Sequence, residues 1–125
     1  MTQNIKWQPQ CINLNKMSEI KAITDALVNF RNERDWEQFH NSKDLALAIS
    51  IEAAELNELF LWKKFEEVNL EKLKEELADV FAYAFLLAEK HKLDVKTIVL
   101  DKIKANGEKY PIDKAKGTAK KYNEL

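Results

Sequence analysis

The sequence predicts an all-α protein with a four-helix-bundle-like architecture, and three observations carry that expectation. Glycine and proline number only two each, too few for the many turns of an all-β chain. Four segments carry apolar residues at helical spacing. Each of those segments is preceded by a Ser, Asn or Asp able to cap a helix. With 125 residues, one domain is expected, and 46% apolar residues are enough to build a core.

Taken in order, residues 1–17 show no periodicity and are expected to form an extended arm ahead of a domain over 18–125. Ser18 can cap a first helix over about 19–35, with Ile20, Ile23, Leu27 and Phe30 on one side. The polar stretch "NERDWEQFHNSK" is a connection, and Ser42 can cap a second helix over about 43–64. Asn69 can cap a third over about 70–91, where His91 and Lys92 suit the negative helix end. Asp94 can cap a fourth over about 95–109, stopped by Gly107 and Pro111. The tail "DKAKGTAKKYNEL" is expected to be loop with a short helical turn.

Several function classes fall away on composition. No run is long and apolar enough to span a membrane. The N-terminus lacks a signal-peptide core, so cytoplasmic residence is expected. The single cysteine, Cys11, excludes an intramolecular disulfide framework and suits a reducing compartment; no CxxC or Cys/His zinc pattern exists. A net charge of −1 does not suit a nucleic-acid polymer as partner. Charge is nevertheless uneven. Residues 52–79 hold nine acids against four lysines, a balance of −5, whereas residues 94–125 hold eight lysines against five acids, a balance of +3.

The segment "ISIEAAELNELFLW" (49–62) raises the central question, because a glutamate stands where a core residue belongs. With Leu45 at zero on a helical wheel, Leu56, Ile49, Phe60 and Leu59 lie at about 20°, 40°, 60° and 320°. Glu52 falls at about 340°, inside this apolar stripe, with Glu55 near 280° at its edge and Trp62 near 260°. The third helix repeats the pattern: with Leu73 at zero, Glu76 and Tyr83 lie near 300° and 280°, and Asp79 near 240°. A short connection makes the two helices antiparallel neighbours, so four carboxylates converge. Buried carboxylates repel one another and would protonate unless a hard divalent cation such as Mg²⁺ neutralises them. The competing explanation is that Glu52 pairs with a lysine. Trp36, Trp62 and Tyr83 are either core residues or an aromatic wall on which a nucleobase stacks. His40 alone carries little signal, and Cys11 has no basic partner to activate it.

"RDWEQFH", "EAAELNELFLWK", "EELADVFAY" and "KIKANGEKYP" closely resemble segments of the MazG-like all-α nucleoside triphosphate pyrophosphohydrolases, nearest to the dCTP pyrophosphatase branch. The resemblance covers about residues 18–125, including the ending "KKYNEL". It implies that Glu52, Glu55, Glu76 and Asp79 are the catalytic, metal-binding carboxylates, with Mg²⁺ as cofactor and Mn²⁺ as a substitute. It implies that Trp36, Trp62 and Tyr83 surround the base, that His40 lies at the nucleotide site, and that Lys102, Asn106, Lys109 and Tyr110 serve the phosphates. It further implies cleavage between the α and β phosphates to a monophosphate and pyrophosphate, by homodimers or by homotetramers built from two dimers. One departure is evident. Leu27 stands where the dCTP branch carries a histidine near the base, and the loop between helices 2 and 3 is shorter than in vertebrate enzymes.

In this reading Glu55 orients or deprotonates the attacking water, and Lys102 and Lys109 offset charge on departing pyrophosphate. The same fold acting on dATP, dUTP, a damaged nucleotide or phosphoribosyl-ATP is the nearest alternative. A di-iron bundle would need two ExxH motifs on core helices, and only "EQFH" (37–40) qualifies, in a connection. A non-catalytic helical interaction module would instead bury its apolar stripes, and Glu52, against a partner. Association is expected in either case, since Phe39, Trp62, Phe65, Phe81 and Phe85 exceed what a small four-helix core covers.

Overall fold

The computed structural model describes residues 18–125; the expected N-terminal arm and Cys11 lie outside the described residues. The described chain is all-helical: α1 (Glu19–Glu33), α2 (Ser42–Glu58), α3 (Leu70–Lys90), α4 (Val95–Lys109) and the short α5 (Ile112–Ala115), with 3₁₀ turns at Glu37–Phe39, Phe65–Glu67 and Tyr122–Glu124. None of these helices is long and apolar enough to cross a membrane.

The caps expected at Ser18, Asn69 and Asp94 form, each side chain accepting a backbone N–H three residues on, at 3.1, 3.1 and 2.8 Å. The cap of α2 is Asn41 rather than Ser42: its Oδ1 accepts from Asp44 N at 2.9 Å, and Ser42 becomes the first helical residue. Asn41 has the extended backbone a cap needs (φ −74°, ψ 164°). Ser42 Oγ is instead 2.8 Å from His91 Nε2, which joins the start of α2 to the end of α3 and makes the two helices antiparallel.

With so few glycines, other residues reverse the chain. At the end of α1, Asp35 takes a left-handed φ of 54°, while Asp35 N donates to Asn32 O (3.1 Å) and Trp36 N to Arg31 O (3.0 Å). At the end of α3, Lys92 does the same at φ 55°, with Lys92 N donating to Glu89 O (3.0 Å) and Leu93 N to Ala88 O (2.9 Å). Both are Schellman terminations, a role usually given to glycine. α4 spans the expected 95–109, with Gly107 inside its last turn.

α2 packs along α3, and α1 packs on another side of α3. Leu45 is fully enclosed, and Leu86 and Ala88 are buried on α3. Ile49, Leu56, Leu59 and Phe60 are half-buried, as the wheel for α2 requires. The bundle is not closed by α4. Its Ile98, Val99, Leu100 and Ile103 all face outward, Ile103 at 60% exposure. Phe39, Trp62, Phe65 and Phe81 are also exposed, so among the described residues much of the apolar surplus anticipated from composition stays uncovered.

Candidate active site

The carboxylate clamp forms from α2 and α3. Glu52 and Glu55 stand one turn apart on α2, and Glu76 and Asp79 one turn apart on α3. Antiparallel packing turns the two pairs toward each other, and carboxylate oxygens of Glu52, Glu76 and Asp79 come within 4.8 Å of one another. Glu55 is more exposed, yet it stands close enough for its carboxyl to act on both Glu52 and Glu76.

Glu52 sits as the wheel places it. Its Oε2 is enclosed, with no hydrogen-bond partner among the described residues. Burial first, then the Glu55 carboxyl, then the charges of Asp79 and Glu76, push its pKa up to about 7. Glu76 is also raised, by loss of solvation and by Glu55 and Asp79. Neither residue has a lysine or arginine within ion-pair distance among the described residues, so no salt bridge to Glu52 forms within residues 18–125. An enclosed oxygen without a donor among the described residues, crowded by other carboxylates, is suited to a cation.

One turn beyond Asp79, Tyr83 is half-buried, and its hydroxyl pKa is raised by burial and by Glu52, Asp79 and Glu55. His40 meets it edge-on, ring centroids 6.3 Å apart at 71°. His40 Nδ1 is enclosed without a partner among the described residues, and its pKa is lowered by burial, then by Arg31 and Lys90. The ring is therefore neutral at physiological pH and offers one donor and one acceptor. Trp36 opens the same strap, 44% exposed and edge-on to Phe30 at 5.8 Å. Arg31 was not singled out in the sequence, yet it is the one buried charged residue described. Its Nη1 lies 3.5 Å from Glu89 Oε2 and its Nε donates to Asn32 Oδ1 at 3.1 Å. The signal was available: four residues after Leu27, it falls within the apolar stripe of α1.

One expectation changes. Trp62 does not continue the wheel of α2, because that helix ends at Glu58 and three-residue turns follow. Trp62 instead has a left-handed φ of 62° and is 94% exposed. Lys102, Asn106 and Lys109 share one side of α4, with Tyr110 as its C-cap. None of these four lines the cleft of about 570 Å³ that adjoins Glu55 and Glu76; that cleft instead carries Lys63 and Lys72. One chain thus gathers the carboxylates, Tyr83 and His40.

Known proteins resemble this chain in sequence and fold. Bovine dCTP pyrophosphatase 1 is 40% identical over 104 residues, covering 77% of this chain, and the human protein of that name is likewise 40% identical over 104 residues. The chain spans 62% and 61% of the lengths of these two relatives. The crystal structure of a pyrophosphatase from Archaeoglobus fulgidus superposes with a TM-score of 0.72 at 35% identity, covering 76% of this chain and 94% of that one. Residues 47–125, which include all four carboxylates, match the MazG-like family, and the chain belongs to it.

Proposed function

We propose that residues 18–125 form a nucleotide-hydrolysing unit that cleaves a nucleoside triphosphate, dCTP or a modified dCTP, to the monophosphate and pyrophosphate in the cytoplasm. The observation that carries this reading is the convergence of Glu52, Glu76 and Asp79 with Glu52 Oε2 enclosed and unpaired. Relatives named for dCTP pyrophosphatase activity support the substrate.

Glu52, Glu55, Glu76 and Asp79 would hold Mg²⁺, with Mn²⁺ as a substitute. Such a cation supplies charge neutralisation for the triphosphate and a more acidic bound water. Glu52 gives up the proton that its neighbours hold on it in the free protein. Glu55, at the open edge, orients the attacking water or takes its proton. Tyr83 and Trp36 flank the base, neutral His40 hydrogen-bonds its edge, and exposed Trp62 closes over it. Lys102, Asn106, Lys109 and Tyr110 receive the phosphates, the lysines offsetting charge on departing pyrophosphate.

The α4 group reaches the carboxylates in a homodimer or in a homotetramer built from two dimers. The apolar face of α4, left open by the described residues, is the surface that a second copy covers. Lys102, Asn106, Lys109 and Tyr110 of one copy then meet the carboxylates of the other.

The test is a panel of dCTP, modified dCTP, dATP, dUTP and ribonucleotides with Mg²⁺, reading pyrophosphate apart from orthophosphate. Equimolar monophosphate and pyrophosphate, fastest with a cytosine nucleotide, is the expected result. Release of orthophosphate, or no turnover of any nucleotide, overturns the reading. The panel extends beyond cytosine because Leu27, half-buried on α1, supplies no hydrogen bond to a base.

A further inference from the structure

The C-terminal segment turns back onto the end of α4. After α5, Gly117 takes a left-handed φ of 79°, a conformation that glycine adopts without strain, and Thr118 N donates to Ala115 O at 3.2 Å. The chain then enters the Tyr122–Glu124 turn, where Glu124 Oε2 accepts from Lys121 N at 3.1 Å. This return seats Tyr122 against two residues of the phosphate-side group. Its ring is edge-on to Tyr110, centroids 6.1 Å apart at 84°, and Lys109 Nζ lies 5.2 Å from the Tyr122 ring centroid. Among the described residues, Lys109 has no ion pair and its side chain donates no hydrogen bond.

We propose that Tyr122 is a positioning residue, and that the folded-back tail holds Lys109 and Tyr110 ready for the pyrophosphate end of the substrate. The inference rests on the phosphate role given to Lys109 above. A lysine stem is flexible and loses rotamer freedom when its ammonium settles on a phosphate. Contact with an aromatic face restricts that freedom before ligand arrives, which is preorganisation. The ring engages one side of the ammonium and leaves N–H donors for phosphate oxygens. Tyr122 is itself about half exposed, so the pair stays open to solution.

The experiment measures binding of magnesium pyrophosphate by calorimetry to the full chain and to K109A, Y122F, Y122L and K109A/Y122L, with circular dichroism and oligomeric mass as folding controls. K109A and Y122L are each expected to weaken binding, Y122L by roughly three- to tenfold. Y122F restores binding, since it keeps the aromatic face, whereas Leu keeps only apolar bulk. The double variant binds no more weakly than K109A, because Tyr122 acts through Lys109. Normal binding by Y122L beside weakened K109A overturns the positioning role and leaves the phosphate role standing. Normal binding by K109A overturns both, as does no binding by the unaltered chain. Should Y122L fail its folding controls, G117A replaces it, since a Cβ at that left-handed φ strains the turn-back; unaltered binding there also sinks the proposal.

Discussion

Arg31 and Glu89 are joined inside the protein, with the guanidinium Nη1 of α1 3.5 Å from the carboxylate Oε2 of α3. Glu37, at 3.9 Å, adds a weaker partner from the strap that carries His40. One buried cation therefore fixes α1 to α3 and acts on the His40 ring. Replacing Arg31 by Met keeps much of the volume but leaves Glu89 only its exposed partner Lys92, whose Nζ lies 3.1 Å from Oε1. A loss of about 2 kcal/mol is expected by urea unfolding, below the usual cost of breaking a buried pair because Glu89 is partly solvated. The His40 pKa should rise partway, since burial is the larger cause of its lowering and remains. NMR titration of the His40 ring in R31M checks this; an unmoved pKa would remove Arg31 from the site.

Glu52→Gln separates function from stability. The substitution keeps shape and removes the charge that Glu55, Asp79 and Glu76 oppose. Mg²⁺-dependent turnover should fall about 100-fold or more. In EDTA at pH 8 the variant should melt at a higher temperature than the unaltered chain, because a repulsive charge has gone. A variant that is both active and less stable would sink the clamp.

The contrast between Glu52 and Trp62 shows what was legible in the sequence. Glu52, Glu76, Asp79 and the caps at Ser18, Asn69 and Asp94 depend on spacing within one helix, which a wheel or a cap pattern captures. Trp62 depends on where α2 stops, and neither Gly nor Pro marks that point; the chain leaves the helix by a left-handed tryptophan that no propensity favours. Asn41 and Ser42 are both good caps, and the backbone chose the first. Arg31 lies on the apolar side of α1, but periodicity does not name the Glu89 carboxylate on α3 that makes its burial possible. The placement of α4 was illegible for another reason: its apolar face is satisfied, in our reading, by a second chain, and periodicity reports that a face is apolar without naming what covers it.

Trp62 combines strain with exposure. A left-handed backbone costs a non-glycine residue about 1 kcal/mol or more, and this side chain buries almost nothing to offset it. Trp62→Gly should therefore leave thermal stability unchanged or raise it slightly. Nucleotide affinity should fall by about tenfold, the loss of one stacking contact, with Mg²⁺ affinity unchanged. Calorimetry with Mg²⁺ alone, and with Mg²⁺ and dCMP, separates the two effects.

The raised pKa of Glu52 fixes the pH dependence of the metal-free fold. In the folded chain Glu52 keeps its proton up to about pH 7, whereas its ordinary value is 4.5, and Glu76 is shifted the same way. Between those values the folded state binds more protons than the unfolded state, so stability falls as pH rises. The stabilising proton is fully present below pH 4.5 and is lost through pH 7. The lowered pKa of His40 acts in the opposite sense below 6.5, so the drop in melting temperature in EDTA should show between pH 6.5 and pH 8. With millimolar Mg²⁺ the slope should reverse, since the cation competes with that proton and stabilises only the folded state. A flat profile in both conditions would contradict the clustering of the carboxylates.

Complementation tests whether α4 acts across a subunit boundary. Ile103→Asp places a charge on the open face of α4 and should shift the assembly toward monomer in analytical ultracentrifugation, with activity lost in parallel. Glu52→Gln and Lys109→Ala should each be inactive alone for different reasons. In a mixed dimer, one site combines the intact carboxylates of the K109A copy with the intact α4 of the E52Q copy. Refolding the two variants together should therefore restore pyrophosphate release, while each refolded alone stays inactive. If Lys109 served the carboxylates of its own chain, neither site in the mixed dimer would be whole and no activity would return.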